Sequence, residues 1–231
     1  IGNDVKKYLS RYYSWFPGMQ HSRNIGYWQQ YEDRNGKMNY HFTDWHGNEI
    51  IVPNKKYYLS WYLANDLLWM REIKDNNKDY IWNMQDMKLT PVKVKEKLKM
   101  IYQTADNDLL FPVAANGNLY KMSLDGKSPQ KIASDIDWLR VFQIKGKDYL
   151  LVGTKSTKKQ GVLDINGNVV MPVEYEYLQV NVISDNPHLF AGQSGSLVTF
   201  NLETGKSKVL KKGVEFNGGF RRAFGKYGYC K

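Results

Sequence analysis

One phrase recurs about every forty residues along this chain: an apolar strand, a turn, a second strand, an Asx/Gly turn, and a strand that runs to a proline. Taking one strand centre per copy, the anchors are Trp28, Leu68, Leu110, Leu150, Leu189 and Tyr229, separated by 40, 42, 40, 39 and 40 residues. Each anchor sits in a short apolar run, such as Leu67-Leu68-Trp69 or Tyr149-Leu150-Leu151. Three of those runs are preceded by aspartate, at Asp66, Asp108 and Asp148. A repeat of this length in strand-forming residues restricts the fold to a stack of small sheets.

Turn chemistry divides each unit. Asp44-Trp45-His46-Gly47-Asn48, Asp125-Gly126-Lys127, Asn166-Gly167-Asn168 and Thr204-Gly205-Lys206 place a glycine where a tight hairpin needs positive φ. The second unit has Asp86-Met87 in that place. Strand-like stretches ending in proline come next, at Pro53 and Pro172 with weaker versions near Pro91 and Pro129, and suit an edge strand because proline cannot donate to a ladder. A further strand closes each unit: Tyr57 to Leu63, Met100 to Gln103, Trp138 to Ile144, Leu178 to Ile183 and Phe220 to Phe224.

Four short strands per forty residues predict an all-β fold, a β-propeller of about five four-stranded blades forming one domain over residues 1–231. The units fall near 26–63, 66–104, 108–144, 148–183 and 187–224, with the termini, 1–25 and 225–231, closing. The sequence from Gly225 to Lys231 begins a sixth copy and holds only its first strand. Closure by mixed N- and C-terminal strands is the expected completion, since closure removes exposed edges; a cut from a longer array is the alternative.

Gly161-Val162-Leu163-Asp164-Ile165-Asn166-Gly167-Asn168-Val169-Val170-Met171-Pro172-Val173-Glu174-Tyr175 resembles the bacterial WG or KWG repeat. Residues 216–223 with Gly225-Lys226-Tyr227-Gly228-Tyr229 resemble the lead-in to another copy. The Trp-Gly pair itself is absent, and Thr43 to Pro53 is a partial copy. The resemblance implies β-strand repeats used for interactions and supplies no catalytic residues.

The net charge is +10, and its source is local. Residues 206–231 carry eight basic side chains, Lys211, Lys212, Arg221 and Arg222 among them, against Glu215 alone. A second basic run holds Lys88, Lys93, Lys95, Lys97 and Lys99 against Glu96. Such patches attract anionic partners, an acidic protein foremost. The ordinary alternative is that alternating lysines form the solvent face of an outer strand and discourage edge pairing. No helix-turn-helix, zinc-finger or RNP-like phrase accompanies the charge, which weighs against nucleic acid.

Six of the seven tryptophans precede residue 83. Trp28, Trp69 and Trp82 fall at strand positions and are expected to pack between blades. Trp45, next to His46, and Trp15 lie beside turns and are expected at the surface, where an indole stacks on a sugar ring or anchors a protein partner.

Chemistry is thinly written. His21, His41, His46 and Asp44 are a candidate metal group, but His41 and Asp44 would point to opposite faces of a regular strand. His188 has no evident serine or cysteine partner. Glu174 with Glu176, Asp106 with Asp108, and Asp135 with Asp137 are candidate carboxylate pairs for glycoside hydrolysis. No phosphate loop or dinucleotide fingerprint occurs. No metal or cofactor is expected.

No apolar run approaches the eighteen or so residues that cross a bilayer as a helix. The chain starts at Ile1, which fits an exported, periplasmic or extracellular, mature protein or an excised domain, and the single Cys230 leaves the compartment open. The reading is a non-enzymatic module binding an acidic protein partner, of the envelope-interaction or toxin-neutralising kind. A carbohydrate-binding propeller is the alternative, and a glycoside hydrolase a minor third.

Overall fold

The computed structural model describes residues 26–32, 38–44, 49–50, 57–63, 67–75, 78–83, 86, 88–104, 108–180 and 183–214. Every regular element among them is a β-strand. The strands form five sheets, and the protein is an all-β, propeller-type repeat of about five blades. By contacts the chain divides into two compact units, Ile1–Lys97 with Leu124–Lys127, and Leu98–Ser123 with Ser128–Lys231.

In the first unit, β1 (Gly26–Glu32), β2 (Met38–Asp44) and β3 (Glu49–Ile50) form a three-stranded antiparallel sheet. A four-stranded sheet follows, of β4 (Tyr57–Tyr62), β5 (Leu67–Glu72), β6 (Asp79–Asn83) and β7 (Lys88–Pro91), in that spatial order. Its second strand carries the anchor run and is buried along its whole length. Trp69 and Trp82 are buried here, as their strand positions predict. The side chain of Trp28 lies outside the described residues.

The second unit holds three sheets. The first has the order β11-β10-β9-β8, from β8 (Leu98–Gln103), β9 (Leu109–Ala114), β10 (Leu119–Ser123) and β11 (Gln130–Ala133). The next is built from β12 (Ile136–Ile144), β13 (Lys147–Thr154), β14 (Gln160–Asp164) and β15 (Val169–Tyr175), with short β17 (Ile183–Ser184) parallel to β12. The last runs β16 (Tyr177–Gln179), β18 (His188–Gln193), β19 (Ser196–Asn201) and β20 (Ser207–Lys212).

The strand that ends each sequence unit pairs forward. Tyr57–Tyr62, Leu98–Gln103, Ile136–Ile144 and Tyr177–Gln179 each open the next sheet, antiparallel to the following anchor strand. The physical reason is the short connection to that anchor. Between β12 and β13 only Lys145 and Gly146 intervene, with φ of 49° and 74°, the two-residue geometry whose twist matches flanking strands. The segment Phe220 to Phe224 lies outside the described residues.

Proline and glycine of the repeat phrase meet in space. Pro91 and Pro172 lie on the outermost strands β7 and β15, where the missing donor costs nothing. Opposite Pro172 the register slips, since Gln160 faces Tyr175 while Val162 faces Met171. The bulged strand crowds Gly161, whose Cβ would stand 2.6 Å from the Cα of Val173 and 2.8 Å from the carbonyl oxygen of Pro172. The glycine at the head of the phrase is there because a backbone passes over it.

The core of the second unit lies on both faces of the β12–β15 sheet. Leu150 and Val152 of β13 pack with Phe111, Val113, Leu119, Ile136, Leu139 and Leu163. Tyr149 and Leu151 point the other way, to Phe142, Val162, Met171, Leu189, Val198 and Phe200. Alternate side chains of one strand thus serve two cores, which is why β13 reads as a continuous apolar run.

Candidate functional site

Of the residues singled out by sequence, Trp15, Trp45, His46, Arg221 and Arg222 lie outside the described residues, as do His21 and Asp106. Lys211 and Lys212 end strand β20. That strand departs from the outermost strands β7, β11 and β15 of the other sheets. All six of its residues are exposed, whereas β7, β11 and β15 each hold at least one half-buried or buried apolar residue.

The geometry of β20 follows from its ladder. Ser207, Lys208 and Val209 pair with Phe200, Thr199 and Val198; Lys211 and Lys212 pair with Leu197 and Ser196. The register slips between, so Leu210 is the extra residue of a bulge. Directly opposed residues share a face. Lys208 therefore extends the row Gln179, Phe190, Thr199, and Lys211 extends the row Tyr177, Gly192, Leu197. Val209 lies on the opposite face, beside Val198 of the core. Val209 is 49% and Leu210 46% exposed, a large apolar exposure for one strand.

Four lysines, Lys206, Lys208, Lys211 and Lys212, fall within seven residues that contain no acid. None has a carboxylate partner among the described residues. Other lysines do: Lys145 pairs with Glu203 at 2.8 Å, Lys159 with Glu176 at 3.1 Å, and Lys99 with Asp137 at 2.7 Å.

The candidate carboxylate pairs are occupied by turns and ion pairs. Asp137 is held below its ordinary range by hydrogen bonds from Lys99 and Lys158. Asp135 accepts from the amide and hydroxyl of Ser156. Glu174 accepts from Gln193 and Glu176 from Lys159, so the two are engaged by different partners. Asp108 accepts from the Thr104 hydroxyl at 2.6 Å. His188 bridges Asn186 and Asn201, both at 3.1 Å. No group of three or more metal-ligating side chains occurs among the described residues.

Two features were not singled out from the sequence. Trp61 on β4 is 49% exposed, although its cross-strand neighbour Trp69 is buried. The aromatic run Tyr57-Tyr58-Leu59-Ser60-Trp61-Tyr62 marks the strand without saying which face is open. The second is a buried polar cluster: Asp79 Oδ1 accepts from Trp69 Nε1 at 2.6 Å and Arg71 Nε at 2.9 Å, with the guanidinium 4.9 Å from the Trp69 ring centre. Beside it, Tyr80 donates to Glu72 at 3.3 Å, and burial, with the nearby Tyr57 and Glu72, pushes its phenol up to about 12.

No protein-family model matches the chain, so the WG-repeat resemblance rests on the quoted residues alone. No curated protein matches its sequence. Among solved structures the chain is similar to BamB from Moraxella catarrhalis, at 12% identity over 80% of this chain and 61% of that one, with a TM-score of 0.49. It is similar to the dihydro-heme d1 dehydrogenase NirN in complex with DHE, at 11% identity over 76% and 44%, TM-score 0.48. KlHsv2 with loop 6CD replaced by a Gly-Ser linker shows 13% identity over 75% and 64%, TM-score 0.47. The chain spans less than two thirds of each of these proteins. No helix among the described residues is long and apolar enough to cross a membrane.

Proposed function

We propose that this chain is a non-enzymatic binding module, a WG-type repeat propeller that recognises an acidic protein through its last described sheet. The observation that carries this reading is β20: a fully exposed outer strand with Lys208, Lys211 and Lys212, and Lys206 just before it, unopposed by acid, and with Val209 and Leu210 at the surface. Cationic side chains around an exposed apolar centre supply steering and a dry contact together. An exported setting, with an envelope protein or a toxin as the acidic partner, fits a stable β-repeat used for contacts.

The test is co-purification of an acidic protein with the full chain. Retention is expected to fall as salt rises, because Debye screening shortens charge attraction, and to be lost in a Lys208→Glu/Lys211→Glu/Lys212→Glu variant. Retention that ignores both salt and charge reversal would overturn the reading. The exposed indole of Trp61 favours a second reading, glycan binding by ring stacking. Retention on a glycan column that survives high salt and is lost in Trp61→Ala would support that alternative.

A further inference from the structure

Strand β20 ends its sheet: β19 pairs with one of its edges, and no described strand pairs with the other. In a strand paired on one side, alternate backbone N–H and C=O groups along the second edge face outward. Those groups are strong and obligatory hydrogen-bonding partners. Six residues present roughly 20 Å of such edge at about 3.3 Å per residue.

We propose that this edge receives an extended acidic segment of the partner protein as a further antiparallel or parallel strand. This rests on the reading of β20 as the partner-binding surface, and adds how the partner is held. The side chains select the occupant. Lys208 and Lys211 project from one face and Lys212 from the other, so a strand laid alongside meets positive charge on both of its faces. A second copy of β20 would bring lysines against lysines, which disfavours self-pairing. A strand alternating acidic and apolar residues places carboxylates near the lysines and its apolar side chains near Val209 and Leu210. The bulge at Leu210 narrows the match further, since a long flat strand does not follow the bend.

The experiment uses the full chain and a fluorescein-labelled peptide of about ten residues in which Glu alternates with Val, long enough to span β20. Two further peptides carry N-methyl groups on alternate amides, one in each frame. Strand addition spends hydrogen bonds on only one frame of the peptide's amides. The plain peptide and one methylated peptide are expected to bind, and the other to lose about tenfold or more in affinity. Lys208→Glu/Lys211→Glu is expected to weaken the plain peptide by a similar factor. Circular dichroism checks that this exposed double substitution leaves the fold intact.

If both methylated peptides bind like the plain one, strand addition is overturned while the acidic-partner surface stands. If no acidic peptide binds, or charge reversal changes nothing, both readings fall. Two results would assign the edge elsewhere and overturn the proposal. One is slow hydrogen exchange at the outward amides of Ser207–Lys212 in the free monomer, which means the chain itself already covers them. The other is concentration-dependent dimerisation lost on peptide addition, which means a second copy sits there.

Discussion

A buried charge pair is stable only while both partners are present, and Arg71–Asp79 is such a pair. The two residues face each other across β5 and β6, with their side chains 11% and 2% exposed. Oδ1 accepts from both Trp69 and Arg71, while Oδ2 is buried without a hydrogen-bond partner. Desolvation is thus only partly offset, and the pair's value lies in fixing how Trp69 and Arg71 lie rather than in net stability. Asp79→Ala is expected to cost about 3–5 kcal/mol in urea unfolding of the full chain, because it removes the buried carboxylate that both Arg71 and Trp69 donate to. Arg71→Met/Asp79→Leu is expected to recover most of that loss. A double variant as unstable as the single one would mean that packing, not charge, is what Asp79 supplies.

At the scale of the element, the repeat phrase was legible because turns and close approaches are local. Asn166-Gly167-Asn168 makes the expected turn: Asp164 accepts from the amides of Asn166 and Asn168, and Gly167 has φ of 89°. Sequence did not reveal which sheet a strand joins. The deciding turn Lys145-Gly146 places a lysine at positive φ, where Asn or Asp would have been the recognisable signal. Of the site, the lysines could be read from composition. The exposure of Val209 and Leu210 could not, since it depends on what does not pack against β20. Gly161 tests the local logic. Its φ is ordinary, so the only obstacle to a side chain is the bulge at Pro172 and Val173, whose crowding atoms include backbone that cannot rotate away. Gly161→Ala is expected to cost about 1–3 kcal/mol in thermal unfolding and to speed amide exchange in β15. Gly205 has positive φ but open space around it. Gly205→Ala therefore isolates the conformational penalty, on the order of 1 kcal/mol. Equal costs at the two sites would mean that close approach contributes nothing at Gly161.

For the second compact unit as a whole, the decisive strand is β13, because its two faces belong to different cores. Leu150 is fully buried among Phe111, Val113 and Leu163, and Leu151 among Phe142, Met171 and Val198. A repeat array whose neighbours share a central sheet in this way loses both interfaces when that sheet opens. Leu150→Ala removes three carbons, a methine and two methyl groups, from a fully buried site bounded by strands. The expected cost is about 2–5 kcal/mol, set by the cavity that remains. The informative readout is where the loss appears. If the sheets of this unit open together, hydrogen exchange in Leu150→Ala accelerates in β9 and β10, whose residues share a core with Leu150, and equally in β18 and β19, whose buried residues share the other core with Tyr149 and Leu151. The reference is Val209→Ala on the exposed edge, expected to stay within about 0.5 kcal/mol and to leave exchange in β9 unchanged. Faster exchange confined to β9, β10 and β13 would mean that the last sheet is stable without the others. The binding strand β20 would then sit on an independently folding platform. Acceleration across all three sheets would instead tie the geometry of that edge to the full stack behind it, so that core substitutions as distant as Leu150 weaken partner binding in proportion to the stability they remove.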